Sequence, residues 1–175
     1  MKKVVCFVGW AGSGKDAACD FLKKEFKYHK INMGSYMEAK LRLEGIRPTH
    51  ENKSKYAKKF LKKYGSRYII DSALADMKKY DLVAVSGVRR PMEVRAIKKV
   101  FPFAVFVCVF ASQKVRAKRR ESSVAKIRAR DLHDNKVLGL GRVLKGADYK
   151  IDNNGSKSEY FKNIRELMQK LNFSS

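Results

Sequence analysis

The residues best suited to chemistry stand together near the start of the chain, in Gly9-Trp10-Ala11-Gly12-Ser13-Gly14-Lys15-Asp16. An apolar, β-rich run, Val4-Val5-Cys6-Phe7-Val8, precedes them, and a helical pattern carrying Ala17, Ala18, Phe21, Leu22 and Phe26 follows. Strand, glycine-rich loop, lysine and helix in that order form the setting of a phosphate-binding loop. Glycines let the backbone curl with its N–H groups inward, and the new helix adds the positive end of its dipole. Gly9, Gly12, Ser13, Gly14 and Ala17 are the expected cradle, and Lys15 the charge that meets the β- and γ-phosphates of a nucleotide. Asp16 occupies the position where Ser or Thr ordinarily ligates Mg²⁺. A carboxylate is a hard oxygen ligand, so Asp16 is the candidate Mg²⁺ contact, through water. The plain alternative is a glycine-rich turn with a surface lysine.

Phosphoryl transfer needs positioning and neutralisation of spreading negative charge more than covalent help. Arginines are therefore the second group of interest. Arg89 lies just past an apolar strand pattern, Leu82-Val83-Ala84-Val85, where ligands of open α/β sheets bind. Arg116, Arg120, Arg128 and Arg130 sit in a basic helical region from Lys114 to Arg130, where a lid would close over donor phosphates. Taken singly, each reads more readily as a solvated helix residue; as a cluster between the fourth and fifth strands, one or two of them are expected to act.

These residues need a scaffold, and strand and helix patterns alternate along the whole chain, as in a parallel sheet covered on both faces. A weak strand at Lys30–Met33 leads into a helix ending near Gly45. A helix with Tyr56, Phe60 and Tyr64 is closed by Gly65, and Ile69, Ile70, Ala73, Leu74 and Met77 form the next apolar stripe. Pro91 and Glu93 open another helix. The run Phe103–Phe110 reads as a central strand. Gly139 and Gly141 are expected to loosen the chain before a last strand at Ala147–Asp152. Asn153-Asn154-Gly155 then turn it into a closing helix with Tyr160, Ile164, Leu167 and Met168.

At 175 residues and 45% hydrophobic content, one domain is the default. No run approaches the roughly twenty apolar residues of a membrane span, and the opening lacks a signal-peptide cleavage pattern, so a cytoplasmic protein without membrane partners is expected. Cys6, Cys19 and Cys108 lack paired metal spacing and read as reduced core thiols; His29, His50 and His133 are scattered. Lys and Arg number 40 against 17 Asp and Glu, a formal net charge of +23. Such a surface attracts polyanions, nucleic acid among them, before any specific site acts. A nucleotide-binding protein whose basic surface docks RNA or a ribonucleoprotein is thus the alternative to a kinase.

The order of these motifs resembles the P-loop nucleoside monophosphate kinase group, which includes adenylate kinase and dephospho-coenzyme A kinase. It is most similar to archaeal adenylate-kinase-like or dephospho-CoA-kinase-like proteins. The resemblance rests on Gly9–Lys15, Met33-Gly34, Pro48-Thr49 with Glu51-Asn52, Gly87-Val88-Arg89 with Glu93-Val94, Arg130-Asp131, Gly139-Leu140-Gly141, and Ala147-Asp148-Tyr149 with Asn153 and Gly155. It implies a three-layer P-loop fold with a five-stranded parallel sheet of order 2-3-1-4-5, a flap at about 34–80 and a lid at about 112–140. It further implies ATP (or another NTP) on Gly12, Gly14 and Lys15, Asn153, Asn154 and Gly155 near the adenine, Mg²⁺, and a small phosphate-bearing acceptor gripped by the flap and Arg89. Four positions depart from the pattern: Ser35 replaces an acid, Glu38 and Leu61 replace arginines, and Ser86 replaces the acid that ends strand 3.

Overall fold

The computed structural model describes residues 2–65 and 67–173. Its centre is β1 (Lys3–Val8), whose residues from Val4 to Val8 are fully buried. This strand pairs in parallel with β3 (Leu82–Ser86) on one side and β4 (Val105–Phe110) on the other. The short strands β2 (His29–Asn32) and β5 (Tyr149–Asp152) flank these, giving the parallel order β2-β3-β1-β4-β5. The expected order is therefore the observed one.

Strand side chains alternate between faces, and β1 feeds two separate cores accordingly. Val4, Cys6 and Val8 pack with α4 (Tyr68–Met77), α5 (Pro91–Val100) and α8 (Leu140–Lys145) through Ile70, Met77, Ile97 and Val143. Val5 and Phe7 face α1 (Lys15–Phe26) and α9 (Lys157–Lys170), meeting Leu22, Tyr160, Ile164 and Met168. Burying a side chain such as Phe7 stabilises the fold by about 1.5–3 kcal/mol, and these layers hold the C-terminal ends of β1, β3 and β4 in register. Between β2 and β3 the chain inserts α2 (Met33–Leu43), α3 (His50–Tyr64) and α4; between β4 and β5 it inserts α6 (Gln113–Arg119), α7 (Val124–Leu138) and α8.

Local differences from the sequence reading have local causes. The strand from Phe103 begins only at Val105, because Phe103 lies in a turn and is 68% exposed. β4 is interior but β1 holds the middle. The basic stretch is two helices, separated where Glu121 adopts φ 48°. Met33 starts α2 instead of ending β2, since the Asn32 side chain accepts from the Gly34 N–H and caps the helix. Gly139 and Gly141 do not loosen the chain: Gly139, at φ 74°, ends α7 and passes directly into α8, which buries Leu140 and Val143. No helix among the described residues is long and apolar enough to cross a membrane.

Candidate functional site

The loop from Gly9 to Gly14 links the C-terminal end of β1 to α1. Gly12 and Gly14 take φ 81° and 105°, left-handed conformations that side chains resist. A Cβ on Gly9 would lie 2.6 Å from the Val109 carbonyl oxygen, so the loop can leave the sheet there only without one. Three loop carbonyls are held from outside by three different elements. Arg116 donates to Ala11 at 3.2 Å, the Asn153 amide to Ser13 at 2.7 Å, and the Tyr160 hydroxyl to Gly14 at 3.1 Å. The Ser13 N–H bonds back to the Trp10 carbonyl at 3.1 Å. With the Ala11, Ser13 and Gly14 carbonyls committed to other parts of the chain, the remaining loop N–H groups stand next to the uncapped first turn of α1. That is the polarity an anion requires.

Arg116 is 2% exposed and forms a two-pronged pair with Asp131 on α7 at 2.9 and 2.5 Å; its Nε donates to the Ala111 carbonyl. Arg119 donates to both the carbonyl and the side-chain oxygen of Asn153. The floor beneath the loop is thus a connected network, and in such networks each member holds the next in place.

Above the loop, Lys15 is nearly buried, its ammonium donating to the Trp10 carbonyl at 3.0 Å. Burial pulls its pKa down to about 8, with Asp16 opposing and Arg89 and Arg130 adding to the fall. Arg130 is likewise depressed, first by burial and then by Arg120 and Arg89, with Asp134 opposing. The Asp134 carboxylate, on α7, lies 3.9 Å from both Arg89 and Arg130. The Nε of Arg130 is buried with no hydrogen-bond partner. The stem of Arg120 crosses Gly12, 2.9 Å from where a Cβ would stand. Lys15, Arg89, Arg120 and Arg130 therefore converge on one space with Asp134 as the one buried carboxylate among them that is not already paired elsewhere, since Asp131 is committed to Arg116. Arg128 is exposed on the far side of α7.

At the other edge of the loop, the Asp16 carboxylate accepts from the Ser86 hydroxyl at 2.7 Å and from the Asn32 amide at 3.0 Å. It thereby joins α1 to the ends of β3 and β2. A carboxylate beside a hydroxyl offers hard oxygens, which suit Mg²⁺, an ion that needs only one or two protein ligands beside phosphates and water. Among the described residues no group of three or more His, Cys, Asp or Glu forms a denser metal site.

The Asn153-Asn154-Gly155 turn sits beside the loop, with its polar groups used inside the protein. Asn153 is 5% exposed on Ser13, and Asn154 accepts from the Ser112 N–H at 2.7 Å and donates to Asp152. The backbone N–H groups of Arg89 and Arg90 are fixed by Glu93 at 2.8 and 3.0 Å. Of the four departures, Ser35 bonds the Asn32 carbonyl, Glu38 pairs with Lys53 at 2.7 Å, Leu61 is half-buried on α3, and Ser86 bonds Asp16. The sequence assigns no site role to Asn32, Asp134 or Tyr160, and Asp131 enters there only within the Arg130-Asp131 motif. The signal for the acids was present: Asp131 and Asp134, three residues apart, face one side of an otherwise basic helix.

A family model described as an AAA domain (AAA_17) matches residues 8–138, which span both the loop and the converging arginines. The chain belongs to this family. This AAA domain is 28% identical over 182 residues to the UPF0200/UPF0201 protein of Archaeoglobus fulgidus, covering 97% of the present chain and 56% of that protein. The chain thus spans little more than half of that relative's length. In fold, the AAA domain is similar to shikimate kinase from Bacteroides thetaiotaomicron, with a TM-score of 0.65 at 10% identity, over 98% of each chain. It is also similar to a gluconokinase from Sinorhizobium meliloti 1021, with a TM-score of 0.61 at 15% identity, over 99% of this chain and 97% of that one. The fold is that of the P-loop kinases, in agreement with the nucleoside monophosphate kinase group that the motifs resemble.

Proposed function

We propose that the protein transfers the γ-phosphoryl group of ATP to a small acceptor, a nucleoside monophosphate or a dephospho-CoA-like molecule. The observation that carries this reading is the convergence of Lys15, Arg89, Arg120 and Arg130 over a glycine loop with outward-held carbonyls. Four cations facing one buried carboxylate leave an excess of positive charge suited to a polyphosphate. Structural neighbours named for shikimate and gluconate kinase activities support a small-molecule acceptor.

In this reading, the loop N–H groups and Lys15 take the β- and γ-phosphates, and Lys15 leaves the Trp10 carbonyl to do so. Arg120 and Arg130 neutralise the charge that spreads over the transferring group, and Arg89 orients the acceptor. An acceptor oxygen bonds to the γ-phosphorus as the bond to the β–γ bridging oxygen breaks, leaving ADP. Mg²⁺ would neutralise the β- and γ-oxygens, held at Asp16. Arg116 acts on the reaction through the loop, by fixing Ala11. The segment at about 34–80 serves as the flap around the acceptor and that at about 112–140 as the lid over the donor, within one domain.

Transfer of label from γ-labelled ATP, with Mg²⁺, to nucleoside monophosphates and dephospho-CoA tests the proposal. Lys15→Ala should lower transfer by about 10²–10³-fold, the usual cost of losing a preorganised electrostatic contact. A variant that retains the wild-type rate overturns it.

A further inference from the structure

P-loop nucleotide-binding sites generally hold Mg²⁺ with a hydroxyl on the residue after the loop lysine and an acid from a neighbouring strand. In this chain both positions are altered, Asp16 at the first and Ser86 at the second. Counted one at a time, these look like two losses. The structure puts them in direct contact: Ser86 Oγ donates to Asp16 Oδ1 at 2.7 Å. We infer that the hydroxyl and the carboxylate of a Mg²⁺ site have exchanged places, with Asp16 supplying the anionic oxygen from the helix and Ser86 the hydroxyl from the strand.

Three further features fit a ligand better than a simple helix–sheet tie. Asn32 Nδ2 donates to the same Oδ1 at 3.0 Å, and Asn32 is itself aimed by its bond from the Gly34 N–H at 2.8 Å. Two donors from two strands thus fix the carboxylate plane. Both act on Oδ1, and among the described residues Oδ2 accepts no hydrogen bond. The carboxylate also makes no capping bond to its own helix among the described residues and instead reaches across to β2 and β3 beside Lys15. An anion there opposes bare phosphate and favours phosphate that arrives with a divalent cation.

This inference rests on the nucleotide-binding reading, and its test uses binding rather than turnover. ATP affinity is measured by calorimetry with Mg²⁺ and with EDTA, for wild type, Asp16→Ser, Ser86→Asp and the double exchange, with thermal melts to confirm folding. The readout is the ratio of the two dissociation constants. Asp16→Ser should tighten metal-free ATP binding while cutting the Mg²⁺ enhancement by about 10-fold or more, the scale of a lost metal contact. The double exchange should restore the ratio to within about threefold of wild type, a coupling that single substitutions cannot show. Ser86→Ala, the mildest change, should lower the ratio as well, and decides the matter if the exchange variant does not fold. An unchanged ratio in Asp16→Ser or Ser86→Ala, or a folded double exchange no better than Asp16→Ser, overturns the inference while leaving ATP binding intact. A wild-type protein that binds ATP neither with nor without Mg²⁺ overturns both readings.

Discussion

The two insertions between strands are built on opposite plans. The one between β4 and β5 is fastened to the loop and to the main core. Arg116 and Asp131 are buried together beneath Ala11, while Leu140 and Val143 join the layer under β1. In the insertion between β2 and β3, the end of α2 and α3 rest on a small separate cluster, with Leu41, Tyr56 and Phe60 as its buried members and Tyr68 and Ile69 at the start of α4 packed against it. Around that cluster lie aromatic rings at 5.0–6.0 Å, lysines over tyrosine rings, the half-buried Lys63–Glu44 pair and exposed ion pairs such as Lys55–Glu51. α3 carries six lysines and one acid in its sequence, Glu51. Ion pairs at such exposure contribute little. The insertion between β4 and β5 is therefore held by buried contacts to the loop, the side that takes the donor in the proposed function, while the end of α2 and α3, on the proposed acceptor side, are held mainly by contacts among themselves and with the start of α4.

The sharpest way to break this contrast is Arg116→Ala. Removing one partner of a buried ion pair leaves the other charge uncompensated, at a cost of about 3–5 kcal/mol. In a chain of this length that lowers Tm by roughly 10 °C or more. Replacing both partners with apolar residues, Arg116→Met with Asp131→Leu, should recover much of the loss, because the unpaired charge is gone. Differential scanning calorimetry gives both values. A single variant melting within about 2 °C of wild type, below 1 kcal/mol on the same scale, would mean that the pair does not fasten the insertion.

The same contrast explains what was legible in the sequence. The loop was readable because β1 and its glycines obey local rules, a buried apolar run and then φ values that glycine tolerates best, whereas the sheet order followed only from the resemblance to the P-loop kinases. The arginines were readable as a cluster, since basic residues crowd that stretch. Their division of labour was not. Arg116 and Arg120 share one face of α6 beside Gly12, yet Arg116 is buried on Ala11 and Asp131 while the exposed Arg120 crosses the loop. Arg130 reaches it from α7 after a break at Glu121 whose cue in the sequence is Ser123, the cap of α7. Ser86 read alone as a missing acid; its contact with Asp16 joins residues 70 positions apart and exists only in three dimensions. Likewise Asn153 looked like a turn residue facing a nucleotide, and its amide is spent on Ser13.

A gentler probe works on the looser side. Phe60 is fully buried, and Phe→Ala in a core costs about 3–5 kcal/mol. If α3 and the end of α2 form their own cooperative unit, that cost falls on local opening, not on the sheet. Hydrogen exchange should then quicken by about a hundredfold to several thousandfold in α3 while β1 and β4 keep their protection, since each 1.4 kcal/mol is a factor of ten. Equal acceleration in both places would show that the two insertions share one fate.

The smallest effect is a pH response confined to the same cluster. Hydrogen bonds from Tyr56 and Lys63 hold the Glu44 carboxyl down to about 2, below its ordinary value of 4.5, although burial works against them. For an acid depressed on folding, the stabilising contribution is complete above the unfolded value and fades as pH falls towards the folded one. The packing of α3 on α2 should accordingly loosen between about pH 4.5 and 2. Glu44→Gln removes the titrating group, so its α3 exchange should lose this acid-dependent step once intrinsic exchange rates are divided out. The Arg116–Asp131 pair lies in the other insertion, and protection beneath the loop should not follow Glu44. Loosening of both insertions in step, abolished in both by Glu44→Gln, would make the two sides one mechanical unit and end the distinction between an insertion fastened to the loop and one that rests on a cluster apart from it.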